Sequence, residues 1–156
     1  MPARADDPRI PVNSAILGYG PMLPLVAAAI AAWFGTGILP EVALRLAVIW
    51  AALVLTFIAG VRRGFGFGVD RASTASEIMS STLFFALAGL ALVSPRADWA
   101  LLLLIAGFLL AAWSDRRAAL AGNAPLHFAK LRPPQLGIGA ATLAALWAWL
   151  ILGEPS

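Results

Sequence analysis

The sequence predicts an all-α integral membrane protein, a bundle of about five transmembrane helices. Of its 156 residues, 61% are hydrophobic and 12% are charged, and the mean hydropathy is +0.86. Soluble domains average about 45–50% apolar and about 25% charged residues. The apolar residues also fall into long runs almost free of charge, which is typical of segments that cross a bilayer.

The apolar runs define the elements. A helix rises 1.5 Å per residue, so about 20 residues cross a hydrocarbon core of about 30 Å. A segment at 1–14 precedes a transmembrane domain at 15–152, whose spans lie at about 15–34, 44–61, 75–93, 99–113 and 136–152. The last two spans are short, which is compatible with helices that begin a turn earlier or stand nearly upright.

The first span contains Gly18, Pro21 and Pro24 in its first half. Each proline removes a backbone donor and crowds the carbonyl four residues earlier, so the freed groups need partners inside the protein. We therefore expect a kinked or locally broken helix. Broken helices build substrate sites in some transporters, but a kink can equally serve packing alone, and the sequence leaves both possibilities open.

The boundaries of the later spans carry their own signals. Thr74 and Glu77 have the spacing of a capping box that begins the third helix. Ser94-Pro95 ends that helix, and Asp98 is predicted to cap the fourth. Pro133-Pro134 is predicted to separate the preceding loop from the fifth helix.

Small residues recur every four positions in the fifth span, at Gly137, Ala141 and Ala145. Such a face allows another helix to approach closely. It is predicted to be a helix-packing face, either within the bundle or against another protein.

Charge gives the orientation. Nine of the eleven lysines and arginines lie on one side of the predicted topology, so the positive-inside rule places the N-terminus in the cytoplasm and the C-terminus outside. The expected location is a bacterial inner membrane. The same bias accounts for the basic net charge without nucleic acid. The candidate residues for binding lipid or a partner are arginines of these loops: Arg62, Arg63, Arg116, Arg117 and Arg132.

The spans are predicted to hold no buried Asp, Glu or His. An ionisable group at mid-membrane costs about 2.5–3.5 kcal/mol on insertion scales and usually marks a pathway or relay. Its absence argues against proton pumps and ion-coupled transporters.

Catalytic and metal signals are weak. There is no cysteine and one histidine, His127, so no metal site or cofactor is expected. No Gly-x-Ser-x-Gly elbow occurs, and no catalytic residues are predicted. The remaining enzyme hypothesis is a cluster of Asp115, His127 and nearby arginines on the cytoplasmic face.

Three stretches resemble a known family. They are Leu17-Gly18 with Leu23-Pro24; Val54 to Val61 followed by Gly64; and Trp113, Asp115, Ala124-Pro125 and Leu131-Arg132. In order and spacing the chain resembles the bacterial and mitochondrial family of transmembrane protein sixty-nine, departing from its pattern at Pro21 and Arg63. The resemblance implies a multi-helix membrane protein and brings no activity or catalytic residues.

We therefore expect a non-catalytic accessory, assembly or stabilising component of a larger membrane complex, respiratory or photosynthetic. Its partners would be membrane lipids and another membrane protein. The alternative is a small transporter, or a lipid- or quinone-binding protein, that uses the kinked first helix. That alternative requires a cavity against residues 18–24, and a solidly packed bundle there would exclude it.

Overall fold

A computed structural model describes residues 10–64 and 74–153, and within these ranges the chain is helical, with no strand. The elements are α1 (Val12–Tyr19), a 3₁₀ turn (Gly20–Met22), α2 (Leu23–Phe34), α3 (Leu39–Gly64), α4 (Ala75–Val93), α5 (Ala97–Leu120) and α6 (Phe128–Leu152).

The predicted fold class is confirmed. Five helices among the described residues are long and apolar enough to cross a membrane, counting α1, the 3₁₀ turn and α2 as one. Four of them are longer than the predicted spans. Among these, α3 extends from Leu39 to Gly64, α5 continues past Trp113 to Leu120, and α6 begins at Phe128. The first begins at Val12, within the segment predicted to precede the membrane. Hydropathy marks only the apolar part of a helix, so polar turns at its ends are missed.

Both capping predictions for α4 are confirmed and the one for α5 is wrong. Thr74 Oγ1 accepts a hydrogen bond from the Glu77 amide at 3.3 Å, and Glu77 Oε2 accepts one from the Thr74 amide at 2.9 Å. Ser94 follows the last residue of α4. At α5 the capping position is Arg96, whereas Asp98 lies in the first turn and accepts a hydrogen bond from Arg96 Nη2 at 2.6 Å.

Pro133 and Pro134 lie inside α6, so the prediction that they end the loop is wrong. Their missing N–H groups would have bonded the carbonyls of Ala129 and Lys130. Those carbonyls are in the first turn of α6, where Lys130 is exposed, so the lost bonds fall at the end of the helix.

The centre of the bundle is packed closely around two glycines. A Cβ atom at Gly139 would lie 2.5 Å from Phe108 Cε1, and one at Gly107 would collide with the Leu55 side chain. Phe108 and Leu55 are themselves fully buried. The absence of side chains at these two positions therefore lets α3, α5 and α6 meet.

The predicted packing face at Gly137, Ala141 and Ala145 does not make these contacts. Ala141 is exposed, and a Cβ at Gly137 would meet nothing within 4 Å. Ala145 does contact the first helix, because its carbonyl accepts a hydrogen bond from Trp33 Nε1 at 3.0 Å. Gly139 is rotated about 200° from Gly137 on the helix, so the contact face within the bundle lies on the other side of α6.

Candidate functional site

The first membrane helix is broken, as its prolines predict. Pro21 lies in the 3₁₀ turn, and Pro24 is in the first turn of α2, where a missing donor is tolerated. Trp50 on α3 donates its Nε1–H to the Pro21 carbonyl at 2.8 Å. This hydrogen bond attaches the break to α3.

Gly18 holds the other side of the break against α6. It is buried, and a Cβ there would lie 3.2 Å from both Gln135 Oε1 and Leu131 Cδ1. A larger residue would push α1 away from α6.

A cavity of about 420 Å³ lies between the break, α3 and α6. It has the size and the largely apolar wall of a small-molecule site. Its wall consists of Ser14, Leu17, Gly18, Pro21, Trp50, Leu53, Val54, Phe57, Ile58, Val61, Phe128, Leu131, Arg132 and Gln135. Leu17, Leu53 and Phe57 are also exposed on the outer surface of the bundle, so the cavity opens toward the lipid.

A charge cluster of Arg62, Asp115 and Arg132 borders this cavity. These residues come from the last turn of α3, from α5 and from the second turn of α6. Arg62 Nη1 donates to Asp115 Oδ1 at 2.7 Å, and Arg132 Nε lies 3.3 Å from Asp115 Oδ2. The exposed fractions of the three side chains are 5%, 1% and 8%. The cluster therefore binds three helices together away from water.

The prediction of no buried acidic group is wrong. Asp115 is 1% exposed and Glu77 is 4% exposed. Asp115 lies beyond the apolar run of the fourth span, but α5 continues as a helix and carries its side chain inward. The arginines of α3 and α6 then compensate its charge. Such compensation is the usual condition for a buried carboxylate in a membrane protein.

Two polar side chains in the cavity wall keep unused hydrogen-bonding capacity. Arg132 Nε lies close enough to Asp115 for an ion pair. Its N–H, however, has no hydrogen-bond acceptor in a suitable direction among the described residues. Gln135 Oε1 also has no partner there, although Gln135 is only 2% exposed. The Arg132 guanidinium is stacked over the Phe128 ring at 4.6 Å. Buried polar groups are nearly always satisfied, so two unsatisfied side chains in one cavity wall mark it as a candidate binding site.

The five arginines predicted to bind lipid or a partner do not form one surface. Arg62 and Arg132 are buried in the charge cluster, whereas Arg63, Arg116 and Arg117 are exposed. Arg117 is stacked over Trp113 at 4.8 Å. An arginine in a loop is normally solvated. Arg62 and Arg132 are buried instead because both form ion pairs with the buried Asp115.

Among the described residues, His127 forms no hydrogen bond or ion pair with Asp115, whose partners are Arg62 and Arg132. It lies just before α6, in edge-to-face contact with Phe128 at 4.9 Å. Partial burial, and then the nearby Arg132 charge, lower the pKa of His127. Among the described residues, no three His, Cys, Asp or Glu side chains could hold a metal together.

Gln135 is the site residue that sequence reasoning missed. Gln135 follows Arg132 by three positions, so both side chains lie on one face of α6. Two polar residues at that spacing in an otherwise apolar span were the available signal. The burial of Gln135 also depends on α1, because Gly18 packs against this face of α6.

One family model matches the chain over residues 10–149, and its description is a protein of unknown function, DUF3429. Neither a comparison with curated proteins nor one with solved structures gives a significant match.

Proposed function

The chain belongs to the family DUF3429, whose description names no activity, and we propose that it is a membrane-embedded binding protein for an amphiphile. The apolar part of the ligand occupies the cavity at the helix break, and its polar end meets Arg132 and Gln135. The observation that carries the proposal is the pair of buried, unsatisfied polar side chains in the wall of an apolar cavity.

Energetics support an occupant. A buried donor or acceptor without a partner costs about 1–3 kcal/mol. An apolar cavity also loses the dispersion contacts that its lining would make with a filled neighbour. A single amphiphile removes both costs, because its tail fills the space and its polar end satisfies the two side chains.

The lining suits a molecule that enters from the membrane. Leu17, Leu53 and Phe57 place apolar side chains at the opening, and Trp50 and Phe128 add flat aromatic surface inside. A ligand dissolved in the bilayer reaches this opening without crossing water.

We favour binding over transport. Leu101, Leu104, Phe108 and Leu143 fill the centre of the bundle and are fully buried. A translocation path through the bundle would require these side chains to move apart. The cavity instead lies at the side of this core.

The proposal develops the alternative reached from the sequence, because the cavity it requires is present against Gly18 and Pro21. An accessory role in a larger complex stays a prediction, as do the inner-membrane location, the orientation and the resemblance to the transmembrane protein sixty-nine family. The observation that favours a protein partner is the exposure of Ala141 together with the open space beside Gly137.

A matched pair of variants tests the proposal. Val54 lines the cavity and is 8% exposed, so Val54→Phe places a ring in the space. Val42→Phe adds the same ring on the same helix at an exposed position away from the cavity. The wild type and both variants are purified from native membranes in gentle detergent and weighed by native mass spectrometry.

We expect the wild type and Val42→Phe to retain a small amphiphile that Val54→Phe loses. Equal retention in all three proteins, or none in the wild type, would contradict the proposal. A stoichiometric protein partner in place of any small ligand would favour the accessory role instead.

A further inference from the structure

We propose that the bound amphiphile is anionic and that its phosphate or carboxylate group binds Arg132. This inference rests on the proposed function and specifies the chemistry of the ligand's polar end. It separates a charged lipid from a neutral one such as a quinone.

The charge balance of the cluster is the first argument. Arg62 donates from Nη1 to Asp115 at 2.7 Å and from Nε to Ser80 Oγ, so it is both paired and hydrogen-bonded. Asp115 is the one carboxylate between two guanidinium groups. Its closer and better aligned bond goes to Arg62, which leaves Arg132 with a weaker ion pair at 3.3 Å.

Glu77 is the second buried carboxylate among the described residues. It caps α4 with Thr74, and it borders a separate hollow between α4 and α5 that Arg62 also lines. It is not part of the wall of the cavity. Arg132 therefore has only the longer of the two ion pairs to Asp115, and it lies next to a space lined by apolar side chains. A buried charge without full compensation is costly, and an anion in the cavity supplies the missing compensation.

The geometry of Arg132 is the second argument. A guanidinium has five donors in a planar fork and no acceptor, which matches carboxylate and phosphate oxygens. The Arg132 Cζ atom lies over the Phe128 ring, 4.6 Å from its centroid, and this cation–π contact holds the guanidinium beside the cavity. The Nε–H lacks an aligned partner within the described residues. Hydrogen bonds between two charged groups are about twice as strong as neutral ones.

Gln135 supplies a second contact, one turn along the same face. The side chain is buried, and its Oε1 has no hydrogen bond within 10–64 and 74–153. Its Oε1 accepts, so the matching ligand group is a hydroxyl next to the anionic group. A quinone carbonyl could accept from Arg132, but it brings neither a negative charge for the guanidinium nor a donor for Gln135 Oε1.

The test compares ligands that share tails and differ in charge. Wild-type protein in nanodiscs of phosphatidylcholine is titrated separately with phosphatidic acid, oleic acid, diacylglycerol and ubiquinone, and bound probe is detected by native mass spectrometry. We expect phosphatidic acid or oleic acid to bind, and diacylglycerol and ubiquinone not to bind. Phosphatidic acid alone would identify a phospholipid phosphate as the ligand group, and oleic acid alone a fatty-acid carboxylate.

Variants locate the contact. Arg132→Gln should weaken binding of the anionic probe about 10- to 100-fold, the effect of losing a hydrogen bond to a charged group. Arg45→Gln removes an exposed arginine of α3 that does not line the cavity, and it should leave affinity unchanged. The comparison of phosphatidic acid with diacylglycerol in wild-type protein needs no variant, so it stands even if Arg132→Gln folds poorly.

The outcomes separate the two proposals. If Val54→Phe abolishes binding of diacylglycerol or ubiquinone while the anionic probes fail to bind, the cavity is a ligand site and the anionic assignment is overturned. If no probe binds in a manner that Val54→Phe abolishes, both proposals are overturned.

Discussion

The centre of the bundle is closely packed, whereas the cavity beside the helix break, called the groove below, is open. At the centre, Gly139 and Gly107 bring three helices so close that a single methyl group would collide with Phe108 or Leu55. At the groove, α1, α3 and α6 enclose about 420 Å³ with two unsatisfied polar side chains in its wall. The same helices, α3 and α6, form both regions.

The cavity between α1, α3 and α6 has a specific structural origin. Because α3, α5 and α6 pack closely at Gly107 and Gly139, the cavity is not the result of loose packing throughout the protein. It arises because Pro21 and Pro24 break the first helix, and because Gly18 and Trp50 hold the broken segment in place. The groove is thus a consequence of specific residues, which is expected of a binding site.

The largest effect should come from the charge cluster that borders the groove. Asp115→Ala leaves Arg62 and Arg132 buried without their carboxylate, and removing one partner of a buried pair typically costs about 3–5 kcal/mol. The free energy of unfolding, measured by denaturant titration in mixed micelles, should fall by that amount. Asp98→Ala removes an acid from the exposed pair with Arg96 and is the control. Equal loss in the two variants would show that burial of the cluster contributes nothing.

A medium effect should come from the centre. Gly139→Ala places a methyl group 2.5 Å from Phe108 Cε1, and such overpacking costs about 1–3 kcal/mol. Gly137→Ala, two residues earlier on α6, meets nothing within 4 Å and should be neutral or slightly stabilising. The thermal midpoints of both variants test the difference. If Gly139→Ala is as stable as Gly137→Ala, the centre is not closely packed.

The smallest effect should appear at low pH. The pKa of His127 lies below its ordinary value of 6.5 because the ring is partly buried and Arg132 is near. The unfolded chain therefore takes up the proton first as pH falls, and the folded state is favoured in full only above about the unfolded pKa. Wild-type stability should decline between that value and the lower folded pKa.

His127→Asn removes the titrating group and is the comparison for this prediction. The variant should show a weaker decline in the thermal midpoint over the same pH range. Identical pH profiles for the two proteins would contradict it.

The fold class and the helix break follow from local signals. Hydropathy reports each apolar run by itself, and Pro21 and Pro24 act on their own turn of helix. Thr74 and Glu77 likewise cap α4 through residues three positions apart. These features need no knowledge of neighbouring helices, so the sequence is sufficient to predict them.

The site depends on contacts between helices, which local signals do not contain. Asp115 is buried only because Arg62 and Arg132 arrive from two other helices. Gln135 lies in the site because Gly18 on α1 packs against its side chain. The packing glycine is Gly139 instead of Gly137 because Phe108 of α5 lies on that side. For the same reason the sequence predicts Arg62 and Arg132 only as loop residues that bind lipid or a partner, and not as members of a buried charge cluster.

The central claim is that the groove holds an amphiphile, and a crystal structure grown from a lipidic mesophase tests it most directly. We predict elongated density between α1, α3 and α6, with its polar end within hydrogen-bonding distance of Arg132 and Gln135. Neighbouring side chains collapsed into the groove, with Arg132 and Gln135 hydrogen-bonded to other parts of the protein, would contradict the account.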